Sequence, residues 1–330
     1  MTRSLSLLMR DPGAALGADI HDRAPDGKIY SNYLAYMQRA HAESGKPVAL
    51  VAARQGTGFD EAVVTSTHAG FPVLDGIPAF LKGVNALFTY RDFVLREQSD
   101  SVELDPEVIA KWRLRLQSGG SLGEIDALHL FREFELPATK SMPAGDEDEL
   151  LSATEHTGFP LALKTAASGI AHKSDRGGVV LDICDEADLR AAYQKMSSRL
   201  GGDVVVAPMA AEGVEMYLGA TRDPQFGPVV VLGFGGIFVE TLRDVVFALP
   251  PFDAAHAKRC VDRLHLRPLL DGVRGQPPAD IDAFCTIAAI FSATVDAFGD
   301  ELEEVDLNPV IVHAEGCTVV DALLVTRKSK

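Results

Sequence analysis

The sequence predicts an α/β segment followed by an α+β domain, on three observations. Strand and helix signals alternate with short connections over residues 1–95. A charged stretch, 96–118, then closes on Gly119 and Gly120. Beyond it, strands follow strands and helices follow helices, without strict alternation. The chain therefore divides into a segment 1–95, a linker 96–120 that carries a helix, and a domain 121–330.

In the first segment the apolar run Leu5–Met9 stands first in the alternation. Tyr33, Leu34, Met37 and Ala40 fall at helical spacing and predict a helix over 30–44 that stops at Gly45. Residues 47–53 (PVALVAA) are wholly apolar, as a strand covered on both faces is. A helix over 59–67 ending at Gly70, a strand over 71–74 and a long helix over 77–95 complete the order β-α-β-α-β-α. Short connections of this kind imply right-handed crossovers and a parallel sheet. Three strands make a small sheet, and an edge or face left uncovered predicts docking to a partner or self-association.

A helix over 106–116 occupies the linker. In the second domain Ser121 and Glu124 have capping-box spacing for a helix over 122–134. Further helices are expected at 146–156, at 186–200 (capped by Asp185), at 253–264 and at 279–298. Strands are expected at 160–165, 178–183, 203–209, 214–222, 228–232, 304–307, 310–313 and 317–322.

The 330 residues are 47% hydrophobic and 24% charged, enough apolar content for a sizeable core. The net charge of −16 (31 Lys and Arg against 47 Asp and Glu) repels polyanions, so nucleic acid and anionic membranes are excluded as partners. Any phosphate ligand must be held by a local device. The longest apolar stretch, 228–239, is interrupted by glycines and too short to span a bilayer, and the run 4–9 is too short for a signal sequence. Cys184, Cys260, Cys285 and Cys317 have no CxxC spacing and read as reduced thiols. A soluble, cytoplasmic protein is expected.

Three features carry chemistry. In PLALKTAASGIAHKSDRGGVV (160–180) an apolar strand delivers Lys164 beside a small-residue turn and then Gly177 and Gly178. A point charge next to backbone N–H donors makes a phosphate clamp. A solvated hairpin tip would carry the same residues. In PVVVLGFGGIFVE (228–240) a buried strand ends in three glycines and Glu240. The glycines permit close approach to a ligand, and a bulge would use them equally well. At the C-terminus, EEVDLNPVIV and CTVVDALLV put Asn308 at a strand end, stopped by Pro309, and Asp321 at the end of the next strand. Antiparallel pairing would bring an amide oxygen and a carboxylate together as a hard-oxygen site for Mg²⁺. Each residue alone is commonly a turn residue.

Taken in order, LALKTAASGIAHKSDRGGV, PMAAEGVEMYLGATRDPQFGPVV, GFGGIFVE and EVDLNPV resemble the nucleotide-binding part of NDP-forming acyl-CoA synthetases, relatives of succinyl-CoA synthetase and ADP-forming acetate–CoA ligase. The resemblance covers 121 to the C-terminus and implies an ATP-grasp domain. Residues 1–95 resemble, more weakly, the last flavodoxin-like subdomain of the CoA-ligase portion of that family.

The resemblance implies that Lys164, with Gly177 and Gly178, holds nucleotide phosphates, and that a hinge at Pro208 and Met209 presents backbone groups to adenine. Glu212, Glu215 and Glu240 are implied nucleotide contacts, and Asn308 and Asp321 match the Mg²⁺ positions. His172, in AHKSDRGGV, matches a second phosphoryl-carrying histidine. The implied reaction is acid + CoA + ATP ⇌ acyl-CoA + ADP + phosphate, with ATP/ADP and Mg²⁺ as cofactors and coenzyme A as co-substrate. The sequence departs from full-length members, which also carry an N-terminal CoA-binding domain and the main phosphohistidine loop. His68, in STHAG, echoes that loop, but it sits at a helix end before Gly70. A separate CoA-binding, phosphohistidine-bearing subunit or domain is therefore expected as partner, with self-association to a homo-oligomer beside it. An ATP-grasp carboxylate–amine ligase, tolerant of loss of His172, and a non-catalytic nucleotide-binding assembly module remain as alternatives. The acid, and the choice between adenine and guanine, stay open.

Overall fold

The computed structural model describes residues 2–54, 56, 59–95, 102–167, 176–236, 243–273 and 275–327. Their contacts divide them into two compact units, Met1–Gln98 and Ser99–Lys330.

The first unit is built on a three-stranded parallel sheet in the order β1 (Gly17–His21), β2 (Val48–Ala52), β3 (Val73–Asp75). The helices are α1 (Thr2–Met9), α2 (Ser31–Ser44), α3 (Glu61–His68) and α4 (Ile77–Val94). Met9, Ile29, Met37, Ala40, Val48, Leu50 and Ala52 form the core. The parallel sheet is as expected, but its first strand is not the run Leu5–Met9, which is helical. Met9 and Leu5, four apart, pack inward while Leu7 and Leu8 face solvent, and that split is a helix's. The true first strand, GADIH, has little apolar signal of its own and forms by pairing with β2. The side chain of Asp60 caps α3 by accepting from the amides of Ala62 and Val63. Helix α4 buries Phe80 and leaves Leu81, Leu87, Tyr90 and Phe93 exposed.

The second unit opens with α5 (Pro106–Gln117) and α6 (Glu124–Glu133) and contains two antiparallel sheets. The smaller has the order β4 (Met142–Ala144), β7 (Val204–Pro208), β5 (Leu161–Thr165), β6 (Val179–Ile183). Helices α7 (Glu147–Thr157) and α8 (Glu186–Leu200) supply Leu150, Ala153, Leu189, Tyr193 and Met196 to its core. Both helices are capped by the aspartate that precedes them, Asp146 and Asp185.

The larger sheet runs β10 (Val245–Ala248), β9 (Gly227–Phe234), β8 (Val214–Asp223), β11 (Leu302–His313), β12 (Gly316–Val319), and β13 (Ala322–Thr326) also pairs with β11. Helices α5, α6, α9 (Ala254–Val261) and α10 (Ile281–Ala297) share its core, where Phe131, Phe234, Phe284, Phe291 and Phe298 are fully buried.

Three expectations are corrected here. Helix α6 starts at Glu124 with Gly123 as its N-cap and no side-chain cap bond, so Ser121 and Glu124 form no capping box. Leu122 instead bridges to Leu324, which holds the preceding chain extended. The C-terminal strand does not stop at Asn308: β11 continues through a cis Asn308–Pro309 peptide, with a register shift against β8 between Leu307 and Val310. Proline lacks a donor N–H, and a bulge is where a strand tolerates it. Finally, the expected strand 317–322 is split into β12 and β13, with Asp321 at the break.

Candidate functional site

Lys164 is the next-to-last residue of β5, paired with Val179 on β6 and Val205 on β7. Its side chain is 5% exposed. The ammonium donates to Glu124 Oε1 at 2.7 Å and to the Val320 carbonyl at 2.9 Å, and lies 3.6 Å from Asp321 Oδ2. One cation of the smaller sheet thus meets the first residue of α6 and the break between β12 and β13 of the larger sheet. Sequence reasoning gave Glu124 a different role, because capping-box spacing is satisfied by the same residue types whether or not a box forms.

The pairing of β11 explains how Asn308 and Asp321 come together. Leu307 faces Ala322 of β13, and Val310 faces Val319 of β12. Asn308 and Pro309 therefore lie opposite Val320 and Asp321, and the Val320 amide donates to the Pro309 carbonyl at 3.0 Å. The interrupted ladder joins the two residues, where the sequence had suggested two complete strands.

Asp306, two residues before Asn308 and on the same strand face, is a member that the sequence reading missed. It sits opposite Gly219 of β8 and Leu323 of β13. Its Oδ1 is buried without a hydrogen-bond partner. Burial, then the charges of Glu304 and Asp321, push its carboxyl up to about 6. Tyr217 lies beside it, over Gly219, where a Cβ would collide with the phenol oxygen. Burial, with Asp306 and Glu304, pushes that phenol up to about 12. The "DLN" spacing was the signal available for Asp306, since alternate strand residues share a face.

This oxygen set fits a magnesium ion held jointly with a nucleotide. Asp306 has an orphaned carboxylate oxygen, Asn308 and Asp321 converge at the strand break, and Mg²⁺ is commonly bound by one or two carboxylates plus substrate phosphates. Among the described residues no group of three or more His, Cys, Asp and Glu side chains is arranged to hold a metal alone.

The other expected contacts are spread around this centre. Gly178 accepts from the Thr165 amide at 2.8 Å and starts the chain into β6, while Gly177 lies in the left-handed region at φ 65°. Pro208 ends β7, and the Met209 amide is already committed to the Pro160 carbonyl at 3.2 Å. Glu212 is exposed in the following turn, and Glu215 is exposed on β8. The Gly235 amide donates to the Glu215 carbonyl at 2.7 Å. Gly236, at φ 60°, lies so close to the Glu215 carboxylate that a side chain there would collide with it. The glycine turn after β9 is thus folded onto Glu215. His172 and Glu240 lie outside the described residues.

Asp244, just before β10, is buried and accepts from the amides of His265 (2.9 Å) and Leu266 (2.7 Å) and from the His265 ring (3.0 Å). Burial pushes its carboxyl upward, but those donors outweigh burial and leave it below the usual carboxylate range. Its carbonyl side packs onto Gly233, where a Cβ would fall 2.5 Å from the Asp244 oxygen, so this network fixes where the glycine turn begins.

A family model described as an ATP-grasp domain matches residues 114–325. The beta subunit of acetate–CoA ligase [ADP-forming] II from Pyrococcus furiosus is 33% identical over 241 residues, which are 70% of this chain and 99% of that subunit. Acetate–CoA ligase [ADP-forming] I from Archaeoglobus fulgidus is 33% identical over 271 residues, 76% of this chain but 39% of that longer protein. Among solved structures, a dinucleotide-forming acetyl-coenzyme A synthetase 1 of Ca. Korarchaeum cryptofilum is 33% identical with a TM-score of 0.57, over 66% of this chain and 98% of that one. It was solved with coenzyme A and Mg-AMPPCP, its phosphohistidine segment pointing towards the nucleotide binding site. Among the described residues no helix is long and apolar enough to cross a membrane. The chain spans the Pyrococcus subunit almost end to end and about two-fifths of the Archaeoglobus protein. With that match and the domain match over most of its length, the chain belongs to the ATP-grasp family, among the relatives of ADP-forming acetate–CoA ligase beta subunits.

Proposed function

We propose that this chain is the nucleotide-binding, phosphoryl-transferring part of an ADP-forming acid–CoA ligase. It would act with a partner subunit or domain that binds coenzyme A and carries the main phosphohistidine. The observation that supports this reading best is the convergence of Lys164, from one sheet, with Asp321, from the other. A cation for phosphate and a hard-oxygen set for its metal, brought together across two sheets, suit a nucleoside triphosphate.

In this reading Lys164 holds the phosphates, with the amides around Gly177 and Gly178 completing the clamp. Pro208, Met209, Glu212 and Glu215 border the nucleoside, and Glu240 extends the set beyond the glycine turn. Asn308, Asp321 and Asp306 hold magnesium, which when bound offsets the phosphate charge. The neutral imidazole of His172 attacks the γ-phosphorus: an N–P bond forms, the bond to the β,γ-bridging oxygen breaks, ADP leaves and the ring loses a proton. The phosphoryl group then passes through the partner's histidine to the acid, giving an acyl phosphate, and the coenzyme A thiolate displaces phosphate to form acyl-CoA.

Calorimetric titration with Mg·ATP tests the clamp. Lys164→Ala should weaken binding by about 30- to 150-fold, the worth of a charge-assisted contact of about 2–3 kcal/mol, with adenosine affinity unchanged. Unchanged Mg·ATP affinity in that variant would remove Lys164 from the phosphate site.

A further inference from the structure

We propose that helix α4 pairs, antiparallel, with the α4 of a second copy of this chain through the stripe Gly83, Leu87, Tyr90 and Val94. The inference is independent of the nucleotide site.

Helix α4 runs for 18 residues, from Ile77 to Val94, yet Phe80 is its one buried residue. Gly83, Leu87, Tyr90 and Val94 recur at intervals of four, three and four. At about 100° and 1.5 Å per residue they share one face over a length of about 17 Å. Leu87, Tyr90 and Val94 are 65%, 66% and 58% exposed. A row with this spacing is how one helix packs on another, and a contiguous exposed apolar surface marks a place of association. Gly83 is a second, separate observation. A glycine inside a helix weakens it relative to alanine. No described atom lies within 4 Å of where its Cβ would sit, so no described neighbour requires the missing side chain. A bare position on an exposed helix face allows another backbone to approach closely.

The row is complementary to itself. Turned antiparallel about a two-fold axis between Phe88 and Thr89, Leu87 meets Tyr90 of the second copy and Tyr90 meets its Leu87, while each Gly83 receives a Val94. Bulky pairs fill the middle and small faces large at both ends, as an isologous interface requires. In the same register Lys82, Arg91 and Asp92 oppose Leu95, Ala86 and Asn85, so no like charges meet. Net charge also favours a second copy at this face. Residues 1–98 hold 10 Lys and Arg against 10 Asp and Glu, whereas residues 99–330 hold 21 against 37 and carry the whole net charge of −16. Two copies therefore repel through their second units and not through their first.

The test is sedimentation velocity of the whole chain. Between about 1 and 200 μM it should pass from monomer to dimer, with the micromolar Kd expected of an interface of one helix pair. Added salt should favour the dimer, because it screens the repulsion between second units. Leu87→Glu and Tyr90→Lys should each weaken it by about tenfold or more, since each buries an unpaired charge. The double variant should recover most of that loss, because in the antiparallel register each new carboxylate faces the new ammonium of the other copy. Gly83→Leu should also weaken the dimer by about tenfold, yet raise the urea midpoint of the dilute monomer, since leucine is the better helix former. A chain that stays monomeric over the whole range overturns the proposal, as does a dimer untouched by the two single charge substitutions. A loss that the double variant does not recover overturns it too and leaves the face to a different partner. Should a charged variant not fold, Gly83→Leu carries the test, and an unshifted Kd there overturns the proposal.

Discussion

Lys164 and Asp321 lie 3.6 Å apart although they belong to different sheets, β5 of the smaller and the β12–β13 break of the larger. The contact joins the residue that suits phosphate to the residue that suits its metal. On the proposed function, nucleotide and metal are taken up together, with the phosphates and the magnesium ion replacing this contact.

That coupling gives the first prediction. Magnesium alone should bind weakly, because two carboxylates and an amide leave most of its coordination to water or phosphate. Asp321→Asn should raise the magnesium requirement for ATP binding by about tenfold or more, with adenosine affinity unchanged, since an amide is a poor substitute for a carboxylate at a hard cation. Calorimetry with and without nucleotide measures both effects.

The glycine turn after β9 gives a second. Gly236 has φ 60° and is pressed against the Glu215 carboxylate. Gly236→Ala should destabilise the chain by about 1–2 kcal/mol from the left-handed backbone, while the exposed Glu215 carboxylate, the far end of a flexible side chain, moves aside at little cost. Adding Glu215→Ala should therefore leave most of the loss in place. Urea unfolding of the two single variants and the double variant separates the two contributions.

A third prediction concerns pH. The folded Asp244 carboxyl lies below its ordinary value, so its contribution to stability is present above about pH 4 and is lost as the pH falls through the folded value. Asp244→Asn should cost about 2–4 kcal/mol at neutral pH, from the loss of charge-assisted bonds to two amides and the His265 ring. The gap between wild type and variant should close on acidification below pH 4, as read from unfolding midpoints. A gap that widens there would reverse the assigned sign.

How much of this was legible in the sequence depended on where the signal lay. The apolar run around Lys164 marked β5, because a strand buried on both faces reads as a continuous apolar run. Asp185 announced α8 because side-chain capping is a local interaction. Strand Gly17–His21 was not legible, since its place comes from pairing with β2 and not from its own residues. Met9 and Leu5 looked like a strand because so short a run does not distinguish a period of two from one of 3.6. Asn308 and Asp321 do lie opposite each other, but the ladder that joins them is one long strand with a bulge, a feature set by pairing partners far along the chain. Glu124 and Asp306 were missed for opposite reasons: Glu124 had a ready local explanation, whereas Asp306 had none until its strand neighbours were known.

The most direct test of the central claim is phosphoryl transfer by the chain itself. Incubation with γ-labelled ATP and magnesium, followed by assay for acid-labile, base-stable label, should give a labelled protein. The label should be lost in His172→Ala and in Lys164→Ala. Wild-type protein that binds Mg·ATP but takes up no such label, or label that persists undiminished in His172→Ala, would contradict the account.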